Sequence, residues 1–337
     1  MATISDVAAL AGVSTATVSR ALNGKATVAP ELVERVAAAA TSLGYRPHGP
    51  ARNLRRQETA VLALLISDVE NPFFTAVARG VEDVAHGRGY SVVLCNTDED
   101  AAKERRYLDV ALQERVAGVI LSPTGPGTDV SALAERGTPV VAVDRPLPDC
   151  SGSLDPGPFD MVLVDTRLAA ATATAHLIAQ GYERVGCLTG PAGVRTADDR
   201  LAGYRDAIRS AGLRSDPRRV RRAAYKAAGA HAAALDLLRS PEPPDALLVA
   251  NSPMAIGVLD ALRELGLRPG RDVGIVCFDD AAWAGLVDPP LSVVAQPASE
   301  MGQIAAQLLL ARIGQAHRPP TVTTLGARLI VRASSHR

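Results

Sequence analysis

The sequence predicts a small all-α head that carries a helix-turn-helix, followed by an α/β body with two lobes. In the first 45 residues, apolar side chains follow helical spacing and are interrupted by glycines. From Ala60 onward, apolar strand-like runs alternate with amphipathic stretches. The chain has 337 residues, which is too long for one typical hydrophobic core. We therefore expect at least two domains of different class.

The head begins with two short helices separated by a glycine. Apolar residues follow helical spacing from Ile4 to Ala11. Either Thr3 or Ser5 can cap the start of this helix. Gly12 then ends it, because glycine readily adopts the left-handed conformation found after helix ends.

A second and a third helix complete the head. Ser14 is a good N-cap for a helix that ends at Leu22. The third helix begins at Pro30 or Glu31. Its predicted apolar stripe consists of Leu32, Val33, Val36, Ala40 and Leu43. Two short helices with a third packed across them form a helix-turn-helix.

The second helix is then the one that contacts DNA. Its outward residues are Thr15, Ala16, Thr17, Ser19, Arg20 and Asn23. Small hydroxyl side chains can donate to phosphates at close approach, and Arg can bind guanine through two hydrogen bonds. Residues 1–60 carry a formal charge of +3 within a chain of net charge zero, which also favours an anionic partner. The alternative is a structural three-helix bundle with a solvated polar face.

Seven apolar runs in the body read as strands, and they lie at residues 61–67, 90–96, 118–123, 139–144, 184–190, 246–251 and 272–280. Amphipathic stretches such as 73–87 and 167–180 lie between them. Apolar strands that alternate with helices indicate parallel sheets covered on both faces. Seven units exceed one simple doubly wound sheet, so we expect two lobes.

Open α/β sheets bind ligands beyond the carboxyl ends of their strands, which makes the residues at those ends candidates for a binding site. In the first lobe these are Asp68, Asn71, Phe73, Phe74, Ser122, Asp144 and Arg145. In the second lobe they are Arg200, Asn251 and Asp279. Each one alone is more often a helix cap or a loop residue, and their shared position makes them candidates.

Composition and motifs argue against several other classes. The histidines and cysteines form no metal-binding cluster, so we expect no metal, no cofactor and reduced buried thiols. An enzyme is disfavoured because the sequence shows no glycine-rich dinucleotide loop, no Walker lysine and no nucleophile elbow. The N-terminus does not resemble an export signal, and no run of apolar residues could span a membrane. We therefore expect a cytoplasmic protein and disfavour a transport-associated sugar-binding protein.

The segment TISDVAALAGVSTATVSRALNG (3–24) and its continuation through LGYRP (43–47) to ARNLRR (51–56) resemble the DNA-binding head of lactose-repressor-type (LacI/GalR family) transcription regulators. The resemblance implies that Thr15, Ala16 and Arg20 read bases, with Thr17, Ser19 and Asn23 near phosphates. A hinge helix would follow in HGPARNLRR (48–56), where Leu54 would wedge into the minor groove. The predicted DNA-binding set also includes Ser5, Ala51, Arg52 and Arg55.

The body resembles the periplasmic-binding-protein-like sensor of the same family, through NPFF (71–74), DR (144–145), RLAGY (200–204) and FDD (278–280). This resemblance implies two Rossmann-like lobes with an effector between them, and crossings between lobes near residues 162, 293 and 321. Arg200 and Asp279 are the strongest candidates, since an Arg–Asp pair grips either vicinal hydroxyls or a carboxylate. Tyr225 is a candidate stacking ring.

The predicted organisation is a head at 1–47, a hinge at 48–59 and an effector-binding and dimerisation body at 60–337. Lobe 1 would comprise 60–162 and 293–320, and lobe 2 would comprise 163–292 and 321–337. The predicted function is transcriptional repression by a homodimer on a near-palindromic double-stranded operator. A small molecule, a sugar or sugar derivative in this family, would control operator affinity, and the sign of that control is left open.

Overall fold

The computed structural model describes residues 2–22, 28–45, 59–147, 158–315 and 318–337. The chain separates into two compact units, residues 1–59 and residues 60–337. Within the described residues, no helix combines the length and the apolar character needed to cross a lipid bilayer.

The head consists of α1 (Ile4–Ala11), α2 (Thr15–Leu22) and α3 (Pro30–Ser42). Thr3, rather than Ser5, caps α1: its side chain accepts from the backbone N–H of Asp6, and the Asp6 carboxylate accepts from the backbone N–H of Thr3. Gly12 ends α1 with a left-handed φ of 62°. Arg35 of α3 donates a hydrogen bond to the carbonyl of Ala11 and so ties α3 to the end of α1.

Small and β-branched residues from all three helices form the core of the head. They are Val7, Ala8, Ala11, Val18, Ala21, Val36, Ala39 and Ala40. One predicted core residue is wrong: Leu43 is exposed, because α3 ends at Ser42 and Leu43 follows as its C-cap. The apolar stripe of α3 therefore stops one turn earlier than its spacing predicts.

Lobe 1 is built on a six-stranded sheet in the order β11-β5-β4-β3-β1-β2, with all pairings parallel. Its strands are β1 (Val61–Ile66), β2 (Ser91–Asn96), β3 (Gly118–Leu121), β4 (Val140–Val143), β5 (Asp160–Val164) and β11 (Val322–Leu325). Its helices are α4 (Pro72–His86), α5 (Ala101–Gln113), α6 (Ser131–Glu135) and α11 (Ala298–Gly314).

Lobe 2 is built on a second six-stranded sheet in the order β12-β10-β9-β8-β6-β7, in which only the β10–β12 pairing is antiparallel. Its strands are β6 (Val185–Thr189), β7 (Val220–Arg222), β8 (Ala246–Val249), β9 (Gly274–Phe278), β10 (Ser292–Ala295) and β12 (Arg328–Ile330). Its helices are α7 (Thr166–Ala179), α8 (Arg195–Ser210), α9 (Ala227–Leu238) and α10 (Ser252–Leu265).

The chain crosses between the lobes three times, a few residues later than predicted. β5 ends lobe 1 at Val164, β10 still belongs to lobe 2, and β11 pairs with β5 of lobe 1. The predicted crossings near 293 and 321 therefore assign β10 and β11 to the wrong lobes. Hydrogen-bonded pairing decides the assignment, and no local sequence signal reports it.

Glycines allow three helix pairs in the body to pack closely. A Cβ at Gly80 of α4 would lie 2.1 Å from the carbonyl oxygen of Ser299 in α11. A Cβ at Gly203 of α8 would lie 2.0 Å from the carbonyl of Arg167 in α7, and one at Gly257 of α10 would lie 2.1 Å from that of Ala227 in α9. These close contacts fix the positions of the helices that flank the cleft.

Candidate functional site

Helix α2 presents short polar side chains on the surface of the head. Thr15, Ala16 and Arg20 are exposed, whereas Thr17 and Ser19 are half-buried. The buried side of α2 carries Val18 and Ala21. The exposed set thus coincides with the three residues predicted to read bases, and their role as base contacts remains a prediction.

Ser14 caps α2, as its sequence position predicts. Its hydroxyl oxygen accepts from the backbone N–H of Thr17 at 3.1 Å and lies 2.9 Å from the Thr17 hydroxyl. Ser5 is exposed on α1. The remaining predicted DNA contacts lie outside the described residues; they are Asn23, Ala51, Arg52, Leu54 and Arg55.

In the body, the carboxyl ends of both sheets face a common cavity. Ten of the eleven predicted effector residues line it, namely Asp68, Asn71, Phe73, Phe74, Asp144, Arg145, Arg200, Tyr225, Asn251 and Asp279. Ser122 does not. It is fully buried and accepts a hydrogen bond from Ser67 at 3.3 Å. Its own hydroxyl hydrogen-bonds to the Asp144 carboxylate.

The two predicted asparagines are also helix caps. Asn71 accepts from the backbone N–H of Phe73 at the start of α4. Asn251 accepts from the N–H of Met254 at the start of α10 and donates to the carbonyl of Tyr225. Both side chains therefore hold a helix N-terminus at the cavity wall.

Lobe 1 contributes a buried arginine whose hydrogen bonds are mostly satisfied within the protein. The Arg145 Nη1 and Nη2 atoms donate to the Glu99 carboxylate at 2.7 Å and 2.6 Å. Nη1 also donates to the carbonyl of Pro123 at 3.1 Å. Nε has no hydrogen-bond partner and lies 3.5 Å from Asp144.

Lobe 2 contributes an arginine with unused hydrogen-bonding capacity. Arg200 Nη1 donates to the carbonyl of Ala250 at 2.8 Å, and its guanidinium lies 4.3 Å from the ring centre of Phe278. The buried Nε of Arg200 has no partner. The stacking and the single carbonyl contact orient the guanidinium, and its remaining N–H groups can donate to a bound ligand.

Asp144 and Asp279 occupy corresponding positions after β4 and β9, and both have left-handed backbones, with φ of 66° and 74°. Such strain in a residue other than glycine is concentrated at functional sites. Burial raises the pKa of Asp279 to about 6, while Arg200 and a hydrogen bond from Gln296 at 2.7 Å oppose that rise. Burial also raises the pKa of Asp144, against the lowering effect of Arg145.

Aromatic rings supply apolar walls from both lobes. Phe73 and Phe74 pack edge to face with ring centres 5.0 Å apart. The ring of Tyr225, from lobe 2, lies 5.7 Å from the Arg145 guanidinium of lobe 1. A Cβ on Gly190 would lie 2.2 Å from the Tyr225 ring, so the ring occupies the space left by the missing side chain.

An ion pair also links the lobes at the cavity. Lys226, which follows Tyr225, lies 2.9 Å from the buried Asp68 and 3.2 Å from the exposed Glu70. Lys226 belongs to lobe 2 and both carboxylates belong to lobe 1. These ion pairs therefore join the two lobes across the cleft, as does the Arg145–Tyr225 contact.

Three lining residues were missed by sequence reasoning: Glu99, Thr196 and Gln296. Glu99 follows β2 and Gln296 follows β10, so the rule of carboxyl strand ends could have found both. β10 was not predicted as a strand, and Glu99 lies in a run of charged residues typical of a solvated loop. Thr196 lies in the first turn of α8, 3.5 Å from the Tyr225 hydroxyl, and no signal marks it.

The arrangement offers a polar ligand both hydrogen-bond donors and hydrogen-bond acceptors. Carboxylates accept hydrogen bonds, guanidiniums donate them, and buried unpaired Arg200 Nε and Gln296 Oε1 atoms await partners. Across the described residues, no group of three His, Cys, Asp or Glu side chains is placed to hold a metal ion.

Comparisons with known proteins agree with this division into head and body. Residues 3–48 match the bacterial regulatory proteins, lacI family, and residues 174–335 match a periplasmic binding protein-like domain. The chain is 35% identical over 319 residues to the ribose operon repressor of Escherichia coli K12, with 94% of each chain covered.

Two solved structures are similar over nearly the whole chain. The complex of the transcriptional regulator CelR with cellobiose has a TM-score of 0.74 and 32% identity, covering 99% of this chain and 100% of that one. The lac repressor dimer bound to operator and the anti-inducer ONPF has a TM-score of 0.85 and 26% identity, covering 100% and 99%.

Proposed function

This chain belongs to the lacI family of bacterial regulatory proteins and is a DNA-binding transcriptional regulator, and we propose that it is a repressor whose operator affinity is set by a sugar bound between the lobes. The proposal of a sugar ligand rests on the residues that line the cavity. It combines Asp144, Asp279 and Arg200 with aromatic walls, all buried. A sugar hydroxyl both donates and accepts, so a ring of hydroxyls can pair with carboxylates and guanidiniums together.

The similar proteins favour the same ligand class. One relative is named a ribose operon repressor, and one similar structure is a complex with cellobiose. D-ribose is therefore the first probe to use. Binding would involve both lobes, since Arg200 and Asp279 come from lobe 2 and Asp144 from lobe 1.

For the head, we propose that Arg20, Thr15 and Ala16 contact bases in the major groove. Arg20 is the only long side chain among these three, and Ala16 is suited to a thymine methyl group. The hinge residues Ala51, Arg52, Leu54 and Arg55 would contact the minor groove and phosphates at the operator centre. Such binding takes place in the cytoplasm, where bacterial DNA lies.

We further propose that the chain acts as a homodimer on a near-palindromic operator. Each lobe exposes large apolar side chains of the kind that interfaces cover. Val93 and Leu94 lie on β2, the terminal strand of the lobe 1 sheet, and are about half exposed. In lobe 2, Ile256 of α10 and Leu286 are exposed, the latter at 86%. A second copy of the chain would bury both pairs.

The test combines operator selection with sugar titration. The full chain is used to select binding fragments from random double-stranded DNA, and binding is measured by fluorescence anisotropy with and without D-ribose. We expect near-palindromic sites, two chains per site and a change in operator affinity when ribose is added. Binding that persists unchanged after deletion of residues 1–59 would contradict the assignment of DNA recognition to the head.

A further inference from the structure

The Glu99 side chain occupies the face of Arg145 that would otherwise bind an anion. Both terminal nitrogens of Arg145 donate to the two oxygens of Glu99, in the fork-to-fork arrangement that a ligand carboxylate or phosphate would adopt. The Arg145 side chain is 5% exposed and that of Glu99 is 24% exposed. A ligand therefore meets Arg145 only through its remaining N–H groups.

The loop between β2 and α5 is constructed to direct Glu99 inward. Asp98 and Glu99 both have left-handed backbones, with φ of 54° and 59°. Asn96 and Lys103 donate hydrogen bonds to the Asp98 carboxylate, and the backbone N–H of Glu99 donates to the carbonyl of Ser67. Two consecutive strained residues persist only where surrounding contacts hold them, so the position of Glu99 is well determined.

The charges around the cavity also oppose an anionic ligand. Among the described lining residues are four carboxyl groups, those of Asp68, Glu99, Asp144 and Asp279, and two guanidiniums, those of Arg145 and Arg200. Lys226 adds a third cation through its contact with Asp68. With the carboxyl groups ionised, the cavity carries an excess of negative charge before any ligand enters.

We propose that Glu99 makes this site selective for uncharged polyhydroxylated ligands, such as aldoses, over sugar acids and sugar phosphates. The inference rests on the proposed function, because it concerns the ligand class of the same cavity. It resolves the alternative left open by the sequence, where an Arg–Asp pair fits either vicinal hydroxyls or a carboxylate. Glu99 acts through Arg145 by neutralising its charge and filling its fork.

The experiment compares matched neutral and anionic sugars by isothermal titration calorimetry on the full chain. The pairs are D-ribose with D-ribonate and D-ribose 5-phosphate, and D-glucose with D-glucuronate. For the wild type we expect the neutral member to bind at least about tenfold more tightly. Glu99→Gln keeps the side-chain size and one acceptor for Arg145, and we expect it to narrow this ratio by about tenfold, through tighter binding of the anion.

Glu114→Gln is the matched control, since it removes the same charge from an exposed position at the end of α5. We expect it to leave the ratio unchanged. Tighter binding of the anionic member by the wild type, an unchanged ratio in Glu99→Gln, or an equal change in Glu114→Gln would each overturn the inference. If none of the five sugars binds the wild type, the proposed sugar function fails and the inference fails with it. If the wild type binds the anionic sugars more tightly than the neutral ones, the inference about Glu99 is wrong but the proposed function is not contradicted.

Discussion

The exposed surface of α2 and the cleft of the body, the two binding regions that we propose, are built in opposite ways. On α2, the exposed residues come from one stretch of eight residues and have short side chains apart from Arg20. In the cleft, charged side chains that lie as far apart in sequence as Asp68 and Asp279 are buried together. The first region depends on local helix geometry, and the second depends on the topology of two sheets.

The largest effect is expected in the cleft, from Arg200→Ala. This change removes a buried cationic donor with unused N–H groups, and we expect D-ribose affinity to fall about 100-fold. Operator binding without sugar should stay near the wild-type value, which also shows that the variant folds. Arg195→Ala is the control, because Arg195 lies on the same helix, half exposed and paired with Asp199. Calorimetry would measure the ribose affinity of both variants. Equal losses in Arg200→Ala and Arg195→Ala would contradict a specific role of Arg200 in ribose binding.

The next largest effect is expected on the exposed surface of α2, where Arg20→Ala should lower operator affinity. Loss of a bidentate base contact should weaken binding to the selected operator about 10-fold to 100-fold and relax base preference at one position of each half-site. Anisotropy titration gives the affinity, and repeated selection gives the preference. Ribose affinity should not change. Arg79→Ala, an exposed arginine of the body, serves as the control. Weakening without any change in base preference would indicate a phosphate contact instead.

A smaller effect is expected from pH, and only in the cleft. Because burial raises the pKa of Asp279 to about 6, lowering the pH through that value protonates the carboxylate and removes an acceptor for sugar hydroxyls. We expect ribose affinity to fall up to about tenfold between about pH 7 and about pH 5, with Asp144, whose pKa is also raised, contributing in the same direction.

The contribution of Asp279 to folding stability has the opposite sign. The folded state takes up this proton more readily than the unfolded chain, so its contribution to stability rises as the pH falls from about 6 toward about 4. Calorimetric titrations with ribose across this pH range test the predicted fall in ribose affinity. Asp279→Asn should bind ribose more weakly at every pH and with a smaller pH dependence; an unaltered dependence would exclude Asp279 as its source.

The smallest effect is expected from Lys226→Met at the junction of the lobes. The Lys226 side chain is 43% exposed, and partly exposed ion pairs contribute little. We expect a twofold to fivefold loss of ribose affinity, on the order of 1 kcal/mol or less. The wild type should bind ribose more weakly at high salt than at low salt, and Lys226→Met should show less of this dependence. If the wild type and Lys226→Met show the same salt dependence, the Lys226 ion pairs are not its source.

The sequence predicted the parts that depend on local pattern. The helices of the head, the Ser14 cap and seven strands follow from periodicity, and strand ends led directly to residues such as Asp144 and Asp279. Short or polar strands escaped: β7, with sequence Val-Arg-Arg, has no apolar run to mark it. The lobe assignment of β10 and β11 depends on hydrogen bonding between distant segments, which periodicity does not report.

The errors at the site have physical causes. Ser122 follows β3 as predicted, but its side chain is fully buried and hydrogen-bonds with Ser67 and Asp144, so it does not line the cavity. Glu99 follows β2 through two successive residues with left-handed backbones, a conformation that is uncommon outside glycine and that the sequence does not signal here. Leu43 has the right spacing for the core of the head, but the helix that would turn it inward has already ended.

Gly190 gives the body a way to change its ligand without any change in the residues that would touch that ligand. The Tyr225 ring fills the space where a side chain at position 190 would stand. A Cβ there would overlap the ring, so an alanine would force the ring to move and would change the shape of the cavity wall. Variation at this one position is therefore a route by which related regulators, or an engineer, could retune ligand choice while every hydrogen-bonding group is kept.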